Sequence, residues 1–344
     1  MQKIAFFDVK SYDRLWFDRL FDGYEVCYFE SKLSVATARL ASGCSGVCAF
    51  VNDSIDAETI DILHDLDVRI LAMRSAGYSN VDFKTAYKKI HVVRVPAYSP
   101  YAVAEHAMAL LLSVNRKTHR AYSRTRDFNF SIVGLTGVDL YQKTVGIIGT
   151  GKIGQVFAEI CRGFGMKIIA YDLFPVKDNG IEYVSLERLL QESDIISLHC
   201  PLTESSYYLL NEAAFRKMKE GVIIINTSRG ALIESRALLD ALNQGCVRGA
   251  GLDVYEEEAD IFFEDFSGTI IHDDTLALLV SRPNVLITSH QAFLTEEALY
   301  NIAEVTRENF DAFYSGASLK NEVCYQCGDD PKNCIKKTTG RCFL

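Results

Sequence analysis

The sequence predicts an α/β protein of two doubly wound parallel-sheet domains, and three observations carry that reading. Apolar runs of strand length alternate with stretches of helical periodicity through almost all of the 344 residues. A Gly-x-Gly-x-x-Gly run, Gly149-Thr-Gly151-Lys-Ile-Gly154, ends one such strand near mid-chain and opens a helix. The length, at 49% hydrophobic and 24% charged residues, exceeds one small core and suits two domains.

Residues 1–100 read as the first part of a substrate domain of flavodoxin-like type. Strands are expected near Lys3–Val9, Tyr24–Phe29, Gly46–Val51, Val68–Arg74 and Val92–Val95, with helical patterns between them. No phosphate-cradling glycine motif occurs in this stretch.

Residues 101–292 read as a Rossmann cofactor domain. An apolar-rich helix from Tyr101 to about Asn115 opens it. Strands follow at Thr144–Gly149, Lys167–Asp172, Asp194–His199, Val222–Thr227, Ala250–Val254 and Val285–His290. Six strands with the glycine turn after the first fit a doubly wound nucleotide-binding sheet. A helix near Thr295, with Glu296 and Glu297 in its first turn, leads the chain back. Residues 293–323 then complete the substrate domain, a cleft separates the two domains, and 324–344 form a cysteine-containing tail.

The glycine motif has a physical logic at each position. Gly149 permits the tight turn, Gly151 lets a pyrophosphate approach the backbone, and Gly154 allows close helix–strand packing. Lys152 and Ile153 begin the helix, whose N-terminus presents free N–H groups and a partial positive charge. Between the motif and the next strand, Ile153, Val156, Phe157, Ile160, Cys161 and Phe164 recur at helical spacing. That strand closes on Asp172, which suits the ribose hydroxyls of NAD and repels the 2′-phosphate of NADP. NAD is therefore the expected cofactor.

Composition excludes several classes. A formal charge of −9 and a pI near 5.4 argue against nucleic acid or an anionic membrane as partner. No apolar run approaches the roughly 20 residues of a membrane helix. The N-terminus enters a strand directly, with no signal-peptide pattern. Ten cysteines show no disulfide-framework spacing, and Cys48, Cys161, Cys200 and Cys246 fall in apolar or element-like segments. A cytoplasmic protein with reduced thiols is expected. The basic stretch from Arg116 to Arg126 reads as solvated or subunit-interface side chains.

Ligands of open parallel sheets bind beyond the carboxyl ends of the strands. Arg229 follows Val222–Ser228, His290 follows Val285–Ser289, and Glu258 lies five positions past Asp253. An Arg there can grip a carboxylate with two parallel N–H bonds. A His can move a proton near neutral pH, and a carboxylate partner fixes its tautomer. Beside a nicotinamide ring such a set would reduce a 2-keto acid. Arg229 would orient it and His290 would protonate the forming alkoxide.

The chain resembles the NAD-dependent D-2-hydroxyacid dehydrogenases, within them the fermentative D-lactate branch of bacteria, from Lys3 to about Val323. The resemblance rests on Phe50-Val-Asn-Asp53, Arg74-Ser-Ala-Gly77, Arg94–Pro100, Ala104-Glu-His-Ala107, the glycine motif, His199–Thr203, Asn226–Ala231, Gly251–Tyr255 and Ser289–Phe293. It implies a catalytic set of Arg229, Glu258 and His290. It places the amides around Ala76 and Gly77 at the substrate carboxylate, and Phe50, Tyr98 and Phe293 around the substrate side chain. It assigns cofactor contacts to His199, Pro201, Thr227 and Asp253, the last near the nicotinamide amide. The implied reaction is NADH-dependent reduction of pyruvate to D-lactate by a homodimer or homotetramer without metal. A bulkier 2-keto acid, such as phenylpyruvate or 2-ketoisocaproate, and an NADH-sensing corepressor-like role are the alternatives.

The tail departs from that family. Cys324, Cys327, Cys334 and Cys342 put four thiols into nineteen residues. Metal binding, redox activity and an inert tail all stay open on spacing alone.

Overall fold

Strand β1 (Gln2–Phe6) lies between β2 (Tyr24–Tyr28) and β3 (Gly46–Ala49), and every pairing here is parallel. Next come β4 (Ile70–Met73) and β5 (His91–Arg94), giving the order β2-β1-β3-β4-β5. Every residue of β3 and β4 is buried, as a parallel sheet covered on both faces requires. Helices α1 (Ser11–Leu20), α2 (Ala57–Asp65) and α3 (Phe83–Ala86) connect the strands. Asp56 and Asp82 cap the last two by accepting from the amides of Thr59 and Thr85.

The structure is a computed structural model that describes residues 1–258, 261–325 and 334–343. It divides into two compact units, Met1–Ser99 with Thr295–Leu344, and Pro100–Leu294.

The second unit opens with α4 (Pro100–Arg116) and α5 (Thr118–Arg126). Its sheet begins with β6 (Thr144–Ile148), then α6 (Lys152–Gly163), β7 (Lys167–Tyr171) and the short β8 (Glu182–Tyr183). After α7 (Leu186–Glu192) come β9 (Ile195–Leu198), α8 (Glu212–Phe215), β10 (Val222–Asn226) and α9 (Ser235–Gln244). Then β11 (Val247–Leu252), α10 (Asp274–Ser281) and β12 (Val285–Ile287) complete it. The order is β12-β11-β10-β9-β6-β7-β8, all parallel where paired. The order reverses between β6 and β9, so the glycine turn after β6 sits at the switch point. Ala104, Ala107, Met108 and Leu111 of α4 pack with Phe157, Ala158 and Cys161 of α6 on one face of the sheet. Leu189, Leu190, Leu238 and Leu242 fill the core on the other.

Among the described residues the sheet has seven strands where six were expected. The extra edge strand, β8, is two residues long and carries no apolar run, so periodicity could not reveal it. The final strand also stops at Ile287 instead of reaching His290. Its last ladder pair is Leu252 with Ile287, and His290 has a φ of 51°, which turns the chain away from the sheet.

The chain returns to the first unit through α11 (Glu296–Tyr314), capped by the Thr295 hydroxyl on the Ala298 amide. Residues 321–323 then add to the free edge of β5. The Arg94 amide donates to Asn321 O, and the Val323 amide donates to Val92 O, both across an antiparallel Val93–Glu322 bridge. A single turn, α12 (Lys336–Thr339), follows. None of the nine cysteines among the described residues is in a disulfide, and Cys327 lies outside them.

Helix α5 carries the basic stretch and buries none of its residues. Its cations hold the next loop: Arg124 donates to Ser131 O and Val133 O, and Lys117, just before the helix, to Gly134 O and Thr136 O. Among the described residues no helix is long and apolar enough to cross a membrane.

Candidate active site

The glycine turn is shaped by two close approaches. At Gly149, φ is 93° and a Cβ would lie 2.6 Å from the His199 carbonyl; at Gly154 it would lie 2.1 Å from Gly149 O. Only glycine fits either position. Gly151 differs: it is the N-cap of α6, and a Cβ there would meet nothing within 4 Å. Packing within the chain does not demand glycine at 151. That leaves room for an outside group to approach the backbone, where the first-turn amides of α6, including those of Lys152 and Ile153, have no acceptor within the helix.

Asp172 follows β7 and points back to this turn. Its Oδ2 accepts from the Thr150 amide at 2.6 Å and hydroxyl at 3.0 Å, and its Oδ1 accepts from the Phe174 amide at 2.8 Å. Burial alone would raise its pKa, but these amides and the hydroxyl outweigh it and hold the carboxyl below its ordinary range. Oδ1 keeps a lone pair for a ligand hydroxyl. Tyr183 of β8 donates to Thr150 Oγ1 at 2.9 Å and so braces the same group.

His199 ends the segment after β9. Its Nε2 lies 2.9 Å from Ser197 Oγ, its ring lies 4.9 Å from that of Phe157, and its Nδ1 is buried without a partner. Burial pushes its pKa down to about 3, so the ring is neutral. The Thr227 hydroxyl, after β10, is likewise buried and without a partner. Pro201 is exposed. Orphaned polar atoms beside an open glycine turn are what a bound dinucleotide would satisfy.

Three loops after successive strands carry the proposed chemistry. After β10, the Asn226 side chain closes the turn, donating to Arg229 O at 2.9 Å and accepting from the Ser228 amide at 3.0 Å. Among the described residues the Arg229 guanidinium donates to Ser228 O at 2.6 Å, and a guanidinium carries five N–H donors in all. A Cβ at Gly230 would lie 2.0 Å from the Tyr255 carbonyl carbon, so this loop presses on the one after β11.

That second loop brings Glu258 to His290. His290 Nδ1 lies 2.8 Å from Glu258 Oε1, and Glu258 Oε2 accepts from the Tyr255 amide at 2.8 Å. Both side chains are about a fifth exposed, open enough to meet a ligand. The Phe263 ring lies 5.9 Å from the imidazole.

Asp253 holds the third loop in place. Its carboxylate, fully buried, accepts from the Thr288 hydroxyl and the Gln291 and Ala292 amides, at 2.6, 2.9 and 2.9 Å. The His290 amide donates to Asp253 O at 2.7 Å. His106 of α4 joins this network through Thr288 Oγ1, 3.1 Å away. Sequence alone gave Asn226, Thr288, His106, Thr150 and Tyr183 no role, although Thr150, Asn226 and His106 lie in segments that carry the resemblance. Each acts through a partner that folding alone brings near.

The remaining candidates lie in the first unit, except Phe293, which is buried in the second. Ala76 O accepts from Arg94 at 2.8 Å, and Gly77 O accepts from the Ser75 hydroxyl at 2.8 Å, which fixes the turn after β4. Tyr98 O accepts from Asn301 of α11. The Phe50 ring lies under the Arg74 guanidinium at 4.7 Å, and Arg74 is itself buried, donating to Phe7 O and Asp8 O.

The chain is similar to known proteins in both sequence and fold. Residues 108–292 match the family model of the D-isomer specific 2-hydroxyacid dehydrogenase NAD-binding domain. The chain is 48% identical over 327 residues to D-lactate dehydrogenase of Escherichia coli (strain K12), covering 93% of this chain and 99% of that protein. It is 50% identical to a 2-hydroxyacid dehydrogenase homolog of Haemophilus influenzae, with the same shares covered. Its structure is similar to that of apo D-lactate dehydrogenase from Escherichia coli, with a TM-score of 0.87, 46% identity, and 94% and 100% coverage. It is also similar to D-lactate dehydrogenase of Aquifex aeolicus complexed with NAD and lactic acid. There the TM-score is 0.81 at 31% identity, covering 91% of this chain and 96% of that one.

Proposed function

The chain belongs to the D-isomer specific 2-hydroxyacid dehydrogenases, a family of NAD-dependent oxidoreductases, and we propose that it reduces pyruvate to D-lactate with NADH. The observation that carries this reading is the His290–Glu258 pair at 2.8 Å, one strand away from the Arg229 turn. The glycine turn and Asp172 would hold NADH, which when bound would supply the hydride.

The chain's own residues do the rest. Arg229 binds the substrate carboxylate with two N–H donors and turns the carbonyl toward the imidazole. The resemblance further assigns the amides around Ala76 and Gly77 to the same carboxylate, and Phe50, Tyr98 and Phe293 to the methyl group. His290, protonated at both nitrogens, gives its Nε2 proton to the oxygen as negative charge develops there. Glu258 stabilises the imidazolium at Nδ1 and keeps Nε2 aimed outward. In the oxidative direction the neutral ring takes the hydroxyl proton back.

A second copy of the chain is the proposed partner. Phe128, Phe130, Ile132 and Val133, beside α5, are each more than 70% exposed, which favours a surface that another subunit covers. A cytoplasmic location goes with the reduced cysteines.

The test is a panel of 2-keto acids with NADH, followed at the nicotinamide absorbance with chiral analysis of the products. Fast oxidation with pyruvate and D-lactate as product supports the reading. Faster turnover of phenylpyruvate or 2-ketoisocaproate would move the assignment to a bulkier substrate. Tight NADH binding without turnover would make the chain a sensor.

A further inference from the structure

Arg74, at the end of β4, is a charged side chain that is 2% exposed, and no step of the proposed reaction uses it. A buried guanidinium is costly unless its donors are met. Here it donates to Phe7 O at 2.9 Å and to Asp8 O at 2.6 Å, and the Asp13 carboxylate of α1 lies 3.4 Å away. Its backbone amide donates to Ala49 O at 3.0 Å. The guanidinium also stands 4.7 Å from the centre of the Phe50 ring.

Strand β1 ends at Phe6 and β3 at Ala49, so Phe7, Asp8 and Phe50 all lie past the strands that Arg74 ties together. Asp8 has a φ of 51°, a conformation that needs outside support, and the bond from Arg74 to its carbonyl supplies some. The Phe50 backbone is set separately, its amide donating to Asp53 Oδ2 at 2.6 Å and its carbonyl accepting from Asn80 at 3.0 Å. Those bonds fix the main chain, and the guanidinium meets the ring. We propose that Arg74 is a positioning residue that sets where the Phe50 ring stands, and thereby how large a side chain the 2-keto acid can carry. The inference rests on the reading of Phe50 as a wall of the substrate pocket and deepens it into a size limit.

The residue type suits that task. A guanidinium is planar, reaches two carbonyls at once through its fork, and lays a flat cationic face against an aromatic ring. A lysine offers a point charge on a flexible stem and has no such face. Stability alone does not call for an arginine here, because well-packed apolar groups in place of a buried ion pair are often neutral or stabilising.

The consequence is selectivity. One methylene in an apolar pocket discriminates about 10- to 200-fold, and 2-ketobutyrate exceeds pyruvate by that one group. Arg74→Lys keeps a positive charge beside Asp13 but takes away the face that meets Phe50, so the wall yields to the larger acid. The glycine turn belongs to the other compact unit, so NADH affinity should stay as it is.

The experiment measures kcat and KM for pyruvate and 2-ketobutyrate with the full-length protein, Arg74→Lys, Phe50→Leu and the double variant. In each single variant the kcat/KM ratio of pyruvate to 2-ketobutyrate should fall about tenfold, chiefly through KM. The double variant should fall no further than the larger single loss, because Arg74 acts through Phe50. An Arg74→Lys ratio within about twofold of the unaltered protein's would overturn the proposal, since both substrates would then have suffered alike. Additive losses in the double variant would overturn it too. Should Arg74→Lys not fold, Asp13→Asn leaves the guanidinium in place without its carboxylate. That variant should lower the ratio about threefold, and an unchanged ratio would count against the proposal in the same way. An unaltered protein that turns over neither acid would remove the pyruvate reading and the proposal with it. Turnover with an unmoved ratio removes the proposal alone.

Discussion

His290 Nδ1 and Glu258 Oε1 lie 2.8 Å apart across two loops, and the second oxygen of Glu258 is pinned by the Tyr255 amide. The carboxylate is therefore oriented from behind before it meets the imidazole. His290 itself is held at a φ of 51°, a conformation a residue with a Cβ keeps only when its surroundings enforce it. The Asp253 carboxylate enforces it, with three donors from residues 288, 291 and 292.

Glu258→Gln tests the pairing. The amide can still hydrogen-bond but no longer supplies the charge that favours imidazolium. Reduction needs a proton donor at His290, so kcat/KM for the keto acid should fall, by no more than the roughly 10²- to 10⁴-fold that acid–base catalysis supplies. Steady-state rates of the two proteins in both directions check this. Equal kcat/KM for the two proteins would dismiss the coupling.

Arg229→Gln should act on binding and orientation together. Truncating one partner of a desolvated charge pair costs about 2–5 kcal/mol, or roughly 30- to 4,000-fold in kcat/KM for the keto acid. Affinity for NADH, measured by fluorescence titration, should change little. A loss below about threefold would take Arg229 out of the substrate site.

The fold was legible where its causes are local. Strand runs, the glycine turn and the Thr295 cap each rest on residues adjacent in the chain, and the elements appear there. The edge strand at Glu182–Tyr183 was not, because two residues, one exposed and one half-buried, make no pattern. Nor was the turn at His290, where a run that reads as strand is bent by Asp253 from 37 positions upstream. Arg229, Glu258 and His290 could be named as types at strand ends. What orients them, Asn226, Tyr255 and Thr288 with His106, depends on contacts between distant segments that no spacing records.

Asp172 sets the prediction for cofactor choice. Its lowered pKa keeps it ionised through neutral pH, and a 2′-phosphate placed against it meets like charge, at a cost of several kcal/mol. Efficiency with NADH should therefore exceed that with NADPH by about 100-fold or more, at roughly 1.4 kcal/mol per factor of ten. Asp172→Ala should bring the ratio below about ten, mostly by losing NADH. Equal use of both cofactors by the unaltered protein would contradict the assignment.

Asp53 makes a prediction about stability and pH. It is buried at the end of the Phe50 turn, accepting from the Phe50 and Leu33 amides at 2.6 Å each. Burial raises its carboxyl pKa from 3.8 to about 6, against the opposing pull of the Phe50 amide, Arg74 and the Leu33 amide. The folded state thus binds this proton more tightly than the unfolded chain. The resulting stability is complete below about pH 4 and is lost as pH rises through about 6. Asp53→Asn should flatten that part of the melting temperature against pH. It should also lower stability overall, because an amide offers one acceptor oxygen to two backbone donors and sets its own N–H₂ against the other. Loss of one such buried bond costs about 1–3 kcal/mol. Thermal melts of both proteins from pH 4 to 8 give the comparison, and parallel curves would show that Asp53 does not titrate in this window.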